Sequence, residues 1–351
     1  MGAKTLKLTL KNFRGIKEGS LEFKRVNIMI GGNNSGKTTV LESLFLAPNP
    51  LRYVPYGVSK SAVGVLNDVH STLNSAANIS LFHGYTGDLA SITMSHESGT
   101  VSTEFHTQGD RIEVLIKEGE RCYRAGYLVK SSNVESAEHQ LLVKGAGYID
   151  KDPRTFYSEV IGESLYFHPC LMKHAWEYFQ RQWVDYRASG LTAKVAKEVS
   201  EGVAGEYDDL LLEPFVGGAY TLYVRDRQGR GIRLGDLGTG AQVFATLLLL
   251  YESSRPRMLL IDDIESHMNP ALLMRITSWF MSILRDTMLC VSTHSLETAK
   301  LIAGALEDYE PQIKLLDLHE GVLRARDFSL EEVEELEKIG IDVRVGKGVL
   351  I

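Results

Sequence analysis

An α/β fold around a mixed, mostly parallel sheet is what this sequence predicts, and three observations predict it. Val26–Ile30 (VNIMI) is a short, almost unbroken apolar run of the kind a buried central strand needs, and a glycine-rich loop and a helix follow at once. The last third of the chain alternates such runs with helical stretches. From about residue 51 to 233 the texture changes, so the sheet is expected to be assembled from both ends of the chain with the middle inserted.

The elements follow in order. Leu6, Leu8 and Leu10 alternate with Lys7, Thr9 and Lys11, the period of a half-exposed strand. After the turn at Arg14-Gly15, Leu21 and Phe23 continue a second strand, and the helix behind the glycine-rich loop runs from Lys37 to about Ala47, stopping before Pro48. In the middle, Ile112–Ile116 and Tyr127–Lys130 read as strands between Gly, Ser and Asn turns. A helical passage covers Leu171 to about Glu206. In it Trp176, Phe179, Trp183 and Tyr186 form one apolar stripe, Ser189-Gly190 breaks it, and Leu191, Val195 and Val199 form another, which predicts two packed helices, a short lid. The final third gives a helix from Gln242 to Glu252, a strand Met258–Ile261, a helix Pro270–Arg285, a strand Thr287–Ser292, a helix from Ser295 and a strand Ile313–Leu318. Three blocks result: 1–50, 51–233 and 234–351.

Composition narrows the class. The chain has 351 residues, 44% hydrophobic and 24% charged, which excludes a disordered chain and a small disulfide-stapled scaffold. Cys122, Cys170 and Cys290 stand far apart without CxxC spacing and suit a reducing compartment. The opening MGAKTLKLTLKNF alternates apolar and charged residues, unlike a signal peptide, and no apolar run is long enough for a bilayer, so a cytoplasmic protein without a membrane partner is expected. A net charge of −7 argues against a protein that coats itself in nucleic acid, although basic residues between Lys4 and Arg25 allow a local basic face.

Chemistry concentrates in four segments. Residues 31–38, GGNNSGKT, match G-x-x-x-x-G-K-[ST]. Along Gly31, Asn33, Asn34, Ser35 and Gly36 the backbone N–H groups turn inward to cradle phosphate oxygens, and the helix N-terminus adds partial positive charge. Lys37 reaches the β- and γ-phosphates of ATP, the Thr38 hydroxyl ligates Mg²⁺, and Thr39 joins the nucleotide contacts from the first helical turn. The second segment is MLLIDDIESHMNP: a buried strand ends in Asp262, which enters the Mg²⁺ shell directly or through water, and Asp263 stands where a general base or water-orienting carboxylate belongs. The third is Val291-Ser292-Thr293-His294, where His294 at a strand end can donate to the γ-phosphate. The fourth, Leu234–Gln242 (LGDLGTGAQ), is a glycine-rich turn opening a helix and thus a second anion site. Lys37, Asp263 and His294 are therefore the catalytic candidates. Weaker constellations are His168, Cys170 and His174, short of a fourth ligand for structural zinc, and Arg225, Arg227, Arg230 and Arg233 around Gly229 and Gly231, which read as a solvated hairpin or as a phosphate contact.

Together the four segments resemble the ABC-type ATPase heads of the SMC, RecF and OLD-like group, P-loop NTPases with a β-subdomain. GGNNSGKT is similar to the group's Walker A, LLIDDIESHMNP to its Walker B and D-loop, STHS to its switch histidine and DLGTGAQ to its signature segment. Asn12-Phe13-Arg14-Gly15 resembles its N-terminal NFRG signature, which implies a nucleotide contact for Arg14, and the tail near IGIDVR resembles small stand-alone members. The resemblance implies two heads enclosing two ATP molecules, each held by the Walker A of one copy and the signature of the other. Gly238, Thr239 and Gly240 would make the contacts in trans, with Thr239 supplying the hydroxyl because Gly238 occupies the serine position. Asp263 stands in place of the group's catalytic glutamate, and no glutamine is assigned to its Q-loop, Gln108 and Gln140 being available. The helical passage lacks sustained heptads, so no long arms are expected. Implied partners are ATP, a second copy of the chain, and DNA or a separately encoded nuclease or effector. The implied setting is DNA maintenance, repair or defence, and the alternative is a nucleotide-gated scaffold with little turnover.

Overall fold

The computed structural model describes residues 5–57, 60–71, 77–141, 161–203 and 205–344. In chain order it runs β1 (Leu6–Phe13), β2 (Ile16–Phe23), β3 (Val26–Ile30), α1 (Lys37–Leu46), α2 (Ala62–His70), β4 (Leu89–His96), β5 (Gly99–Gln108), β6 (Arg111–Glu118), β7 (Arg121–Val129), β8 (Glu135–Leu141) and β9 (Ser164–Phe167). There follow α3 (Met172–Ala188), α4 (Leu191–Val203), β10 (Tyr207–Pro214), β11 (Tyr220–Asp226), β12 (Gly231–Arg233), α5 (Thr239–Ser254), β13 (Met258–Ile261), α6 (Pro270–Ile283), β14 (Met288–Ser292), α7 (Leu296–Ala305), β15 (Gln312–His319), β16 (Val322–Phe328) and α8 (Leu330–Lys338).

A 13-stranded mixed sheet in the order β8-β7-β6-β5-β4-β1-β2-β16-β15-β3-β14-β13-β9 organises these elements. Its continuous parallel block is β15-β3-β14-β13-β9, with β3 between β15 and β14, and β16 also runs parallel to β2. The other pairings are antiparallel, so the sheet is mixed rather than mostly parallel, because the β4–β8 meander adds antiparallel strands to it. The apolar run of β3 is buried at every position, as a strand covered on both faces requires. Asn27 interrupts the run but is fully satisfied: its Nδ2 donates to the Lys24 carbonyl at 2.8 Å and its Oδ1 accepts from the Lys24 N–H at 3.0 Å. In β1 the alternation is realised, with Leu6, Leu8 and Leu10 inward and Lys7 and Lys11 outward. Strands β4–β8 form an antiparallel meander that joins the main sheet through β4 on β1, so the meander prolongs that sheet.

The lid helices have the expected break. Gly190 adopts a left-handed φ of 74° between α3 and α4, and Phe179, Trp183, Tyr186, Val195 and Val199 are buried. They pack with α5 and the small sheet β10-β11-β12. One boundary differs from expectation: α5 begins at Thr239, three residues before Gln242, because Gly240 and Ala241 are packed inside. The strand β9, which carries no alternation, closes the parallel edge beside β13. Among the described residues no helix is long and apolar enough to cross a membrane.

Parallel register sets the geometry of function. Ile261 pairs with Val291 and Phe167, and Ser292 with Met29, so the carboxyl ends of β3, β13, β14 and β9 share one edge. In open parallel sheets that edge is where ligands bind.

Candidate nucleotide site

The loop from β3 to α1 is shaped by backbone conformations that side chains disfavour. Gly31 has φ 147°, Asn34 φ 60° and Gly36, the residue preceding the helix, φ 94°. A Cβ on Gly31 would stand 2.6 Å from the Leu316 carbonyl oxygen and 2.7 Å from Ser35 Oγ. Gly31→Ala should therefore destabilise the protein by about 3 kcal/mol, from backbone strain and overpacking combined, and weaken nucleotide binding. Urea denaturation checks it: an unshifted midpoint would show that the loop is not as constrained as its geometry indicates.

Within this loop the Lys37 ammonium, on a nearly buried side chain, donates to the carbonyls of Gly31 at 2.9 Å and Gly32 at 3.1 Å. The buried Ser35 hydroxyl has no hydrogen-bond partner. A cation folded onto its own loop and an orphaned donor beside it suit an anion with several oxygens, so the residues fit a nucleotide polyphosphate. Thr38 and Thr39 are half-buried on the first turn of α1, while Asn33 and Asn34 are exposed.

The acidic side of the site comes from β13. Asp262 is buried, and both its carboxylate oxygens accept hydrogen bonds: Oδ1 from Ser292 Oγ on β14, and Oδ2 from Tyr166 Oη on β9 at 3.2 Å. Burial, and then the Asp262 carboxylate, push the Tyr166 hydroxyl well above its ordinary range, which keeps it a donor. Asp262 is thus oriented by strands on each side, as a metal-binding carboxylate needs. Asp263 takes a left-handed φ of 46°, and its N–H donates to Ser292 Oγ at 2.9 Å. Burial and the neighbouring Asp262 raise the Asp263 carboxyl above its usual range, while His294 and Lys37 pull it down. Two of the three catalytic candidates meet here: His294 Nε2 lies 3.5 Å from Asp263 Oδ1, with both side chains partly exposed. Glu265 does something else, since its Oε1 accepts the His294 N–H at 2.7 Å and its Oε2 is buried without a partner.

The remaining predicted residues divide. Gly238 and Thr239 are exposed at the N-terminus of α5, but Gly240 is buried, and a Cβ there would meet the His267 carbonyl oxygen at 2.7 Å. Gly240 therefore lets α5 approach the loop after β13 in its own chain. Arg14 is turned inward onto α1: its Nε lies 3.2 Å from Glu42 Oε2 without completing an aligned hydrogen bond, and His70 holds the other oxygen of this buried carboxylate. Gln108 donates to Glu113 at 3.0 Å on the meander, and Gln140 lies on β8, its side chain outside the described residues. His174 pairs with Asp68 and His168 Nδ1 accepts from the Cys170 N–H, and among the described residues no group of three or more His, Cys, Asp or Glu could hold a metal by itself. The arginine hairpin is charge-matched, with Arg225 on Asp208 and Asp209, Arg227 on Glu206, Arg230 on Asp226 and Arg233 on Asp236. Tyr166, Ser292 and Glu42 are the contributors that sequence reasoning missed. Only Ser292, within the STHS segment, lay in a motif.

A family model described as an AAA ATPase domain matches residues 4–123, and another, described as "AAA domain, putative AbiEii toxin, Type IV TA system", matches residues 207–299. No curated protein matches the chain. Among solved structures the chain is similar to the Smc head domain with an extended coiled coil bound to the C-terminal domain of ScpA from Pyrococcus furiosus. The TM-score is 0.55 and the identity 10%, over 95% of this chain and 98% of that one. It is also similar to an Smc head bound to the C-terminal winged-helix domain of ScpA, with TM-score 0.52 and 11% identity over 94% and 98% of the two chains. At such identities the likeness establishes the fold. The two family models each match a part of the chain and describe AAA-type domains, and the fold is that of an SMC head domain.

Proposed function

We propose that the protein binds ATP with Mg²⁺ on the 31–38 loop, hydrolyses it, and uses the cycle to hold and release a head-to-head dimer. The observation that carries this reading is the convergence, at one sheet edge, of the Lys37 loop, the doubly hydrogen-bonded Asp262 and the Asp263–His294 pair. Thr38 and Asp262 would hold the metal, which when bound would offset the charge of the phosphate oxygens. Lys37 would add its positive charge to the same phosphates. Asp263 orients the attacking water and takes its proton, and His294 donates to the γ-phosphate. The division we propose keeps 1–50 and 234–351 as the two parts of the head and 51–233 as the insert, from which β9 supplies the parallel edge.

Dimerisation follows from the second glycine-rich turn. The exposed Gly238 and Thr239, at the start of α5, present N–H groups and a hydroxyl that suit a partner's γ-phosphate. Substituting Gly240 would not test this cleanly, since any side chain there strikes its own backbone. Thr239→Glu is the better probe: it should bind nucleotide as a monomer, its carboxylate repelling the partner's phosphate. Sedimentation of wild type with Mg²⁺ and a non-hydrolysable ATP analogue should show a doubled mass that Thr239→Glu loses. A wild type that remains monomeric at saturation contradicts the dimer. The DNA setting implied by the resemblance gains no support from the charge-matched arginine hairpin; salt-dependent DNA retention would separate a DNA clamp from a switch acting on a protein effector.

A further inference from the structure

The peptide of His294 is gripped on both sides by side chains from distant parts of the chain. Its N–H donates to Glu265 Oε1 at 2.7 Å, and its carbonyl accepts from Arg344 Nη1 at 2.9 Å. Arg344 is itself fixed: Nε and Nη2 fork onto Asp342, at 3.0 Å to Oδ1 and 2.6 Å to Oδ2. The segment that carries it is anchored to the fold. After α8 the N–H groups of Gly340 and Ile341 return to the carbonyls of Glu337 and Leu336, each at 2.9 Å, and Val343 is fully buried.

We propose that Arg344 is a positioning residue that sets the backbone of His294 and hence the stance of its imidazole toward Asp263. The inference rests on the proposed role of His294 and Asp263 in hydrolysis. The guanidinium is suited to the task, because its planar fork can hold Asp342 with one edge and still direct Nη1 at the carbonyl. An ammonium group has the charge but not the fork. The Arg344 side chain is 31% exposed and fills no core, so its loss should leave folding almost untouched. What its loss releases is one of two restraints on a residue 50 positions earlier in the chain.

The test uses the full chain as wild type, Arg344→Ala, Arg344→Lys, His294→Gln and the double variant His294→Gln with Arg344→Ala. Arg344→Ala should lower kcat for ATP about tenfold, the scale of a small misplacement of a reacting group, with KM, the affinity for a non-hydrolysable analogue and the melting temperature nearly unchanged. Arg344→Lys should behave like Arg344→Ala. In the His294→Gln background Arg344→Ala should cost nothing more, since both act through one imidazole. A second readout needs no turnover: the His294 ring resonances of the nucleotide-free protein should shift on Arg344→Ala. Unmoved resonances, full activity in Arg344→Lys, or the same tenfold loss in the His294→Gln background would each overturn the positioning role. If wild type binds ATP without releasing phosphate while the resonances do shift, the hydrolysis reading falls and the positioning of His294 by Arg344 stands.

Discussion

Replacing Lys37 with alanine is expected to abolish tight ATP binding while leaving the fold intact. The Lys37 side chain is nearly buried, and its ammonium is held by the Gly31 and Gly32 carbonyls, at the point where a β- or γ-phosphate would meet the loop. Hydrogen bonds from a charged donor are worth about 1.5–3 kcal/mol each, so losing two or more to phosphate should weaken binding by about 10²-fold or more. The alanine variant still presents the loop N–H groups, which explains why residual weak binding would be no surprise. Calorimetric titration with ATP and Mg²⁺ measures the effect, and a melting curve shows that the variant is folded. Unchanged affinity in a folded variant removes the phosphate assignment of the 31–38 loop.

Asp263→Asn carries the second large effect. The substitution keeps the shape at the left-handed turn after β13 and removes the charge that would orient or deprotonate water. ATP binding should persist, hydrolysis should slow by about 10²-fold or more, and the ATP-held dimer should last longer. Asp is one methylene shorter than the glutamate usual in the resembled group, so even wild type should turn over slowly, below about 1 per second. Glu265 is the natural rival for the base. Its geometry speaks for another duty, because one oxygen is committed to the His294 N–H and the other is buried. Glu265→Gln should therefore disturb the His294 loop more than the water. Single-turnover assays on both variants separate them: if only the Glu265 variant loses the chemical step while binding ATP normally, the base has been misplaced.

How much of this was legible in the sequence depended on how local the signal was. The strands β1, β3, β13 and β14 declared themselves through alternation or short apolar runs, and the phosphate loop through a spacing that needs no fold to be seen. Lid helices were legible because their apolar stripes repeat at helical spacing around the Ser189-Gly190 break. What stayed hidden was made by pairing across distance. The four buried residues of β9 carry no alternation, and the Tyr166 hydroxyl reaches Asp262 only because parallel register sets β9 beside β13. Arg14 is the opposite case: its motif stands out in the sequence, while its neighbour in the fold is Glu42, a carboxylate from α1 that no motif singled out. Gly240 likewise stands out as part of a glycine-rich turn, but its close approach between α5 and the loop after β13 could not be read from that turn.

The edge shared by Lys37, Asp262, Asp263 and His294 is proposed to perform metal-dependent ATP hydrolysis. The most direct measurement is single-turnover phosphate release from pre-bound ATP by the wild-type chain, begun by adding Mg²⁺ and compared with the same mixture in a chelator. Release of one phosphate per bound ATP is expected with Mg²⁺ and essentially none in the chelator, with Asp263→Asn retaining its ATP in both. Release that is indifferent to Mg²⁺, or no release by a wild-type protein saturated with ATP and Mg²⁺, would contradict it.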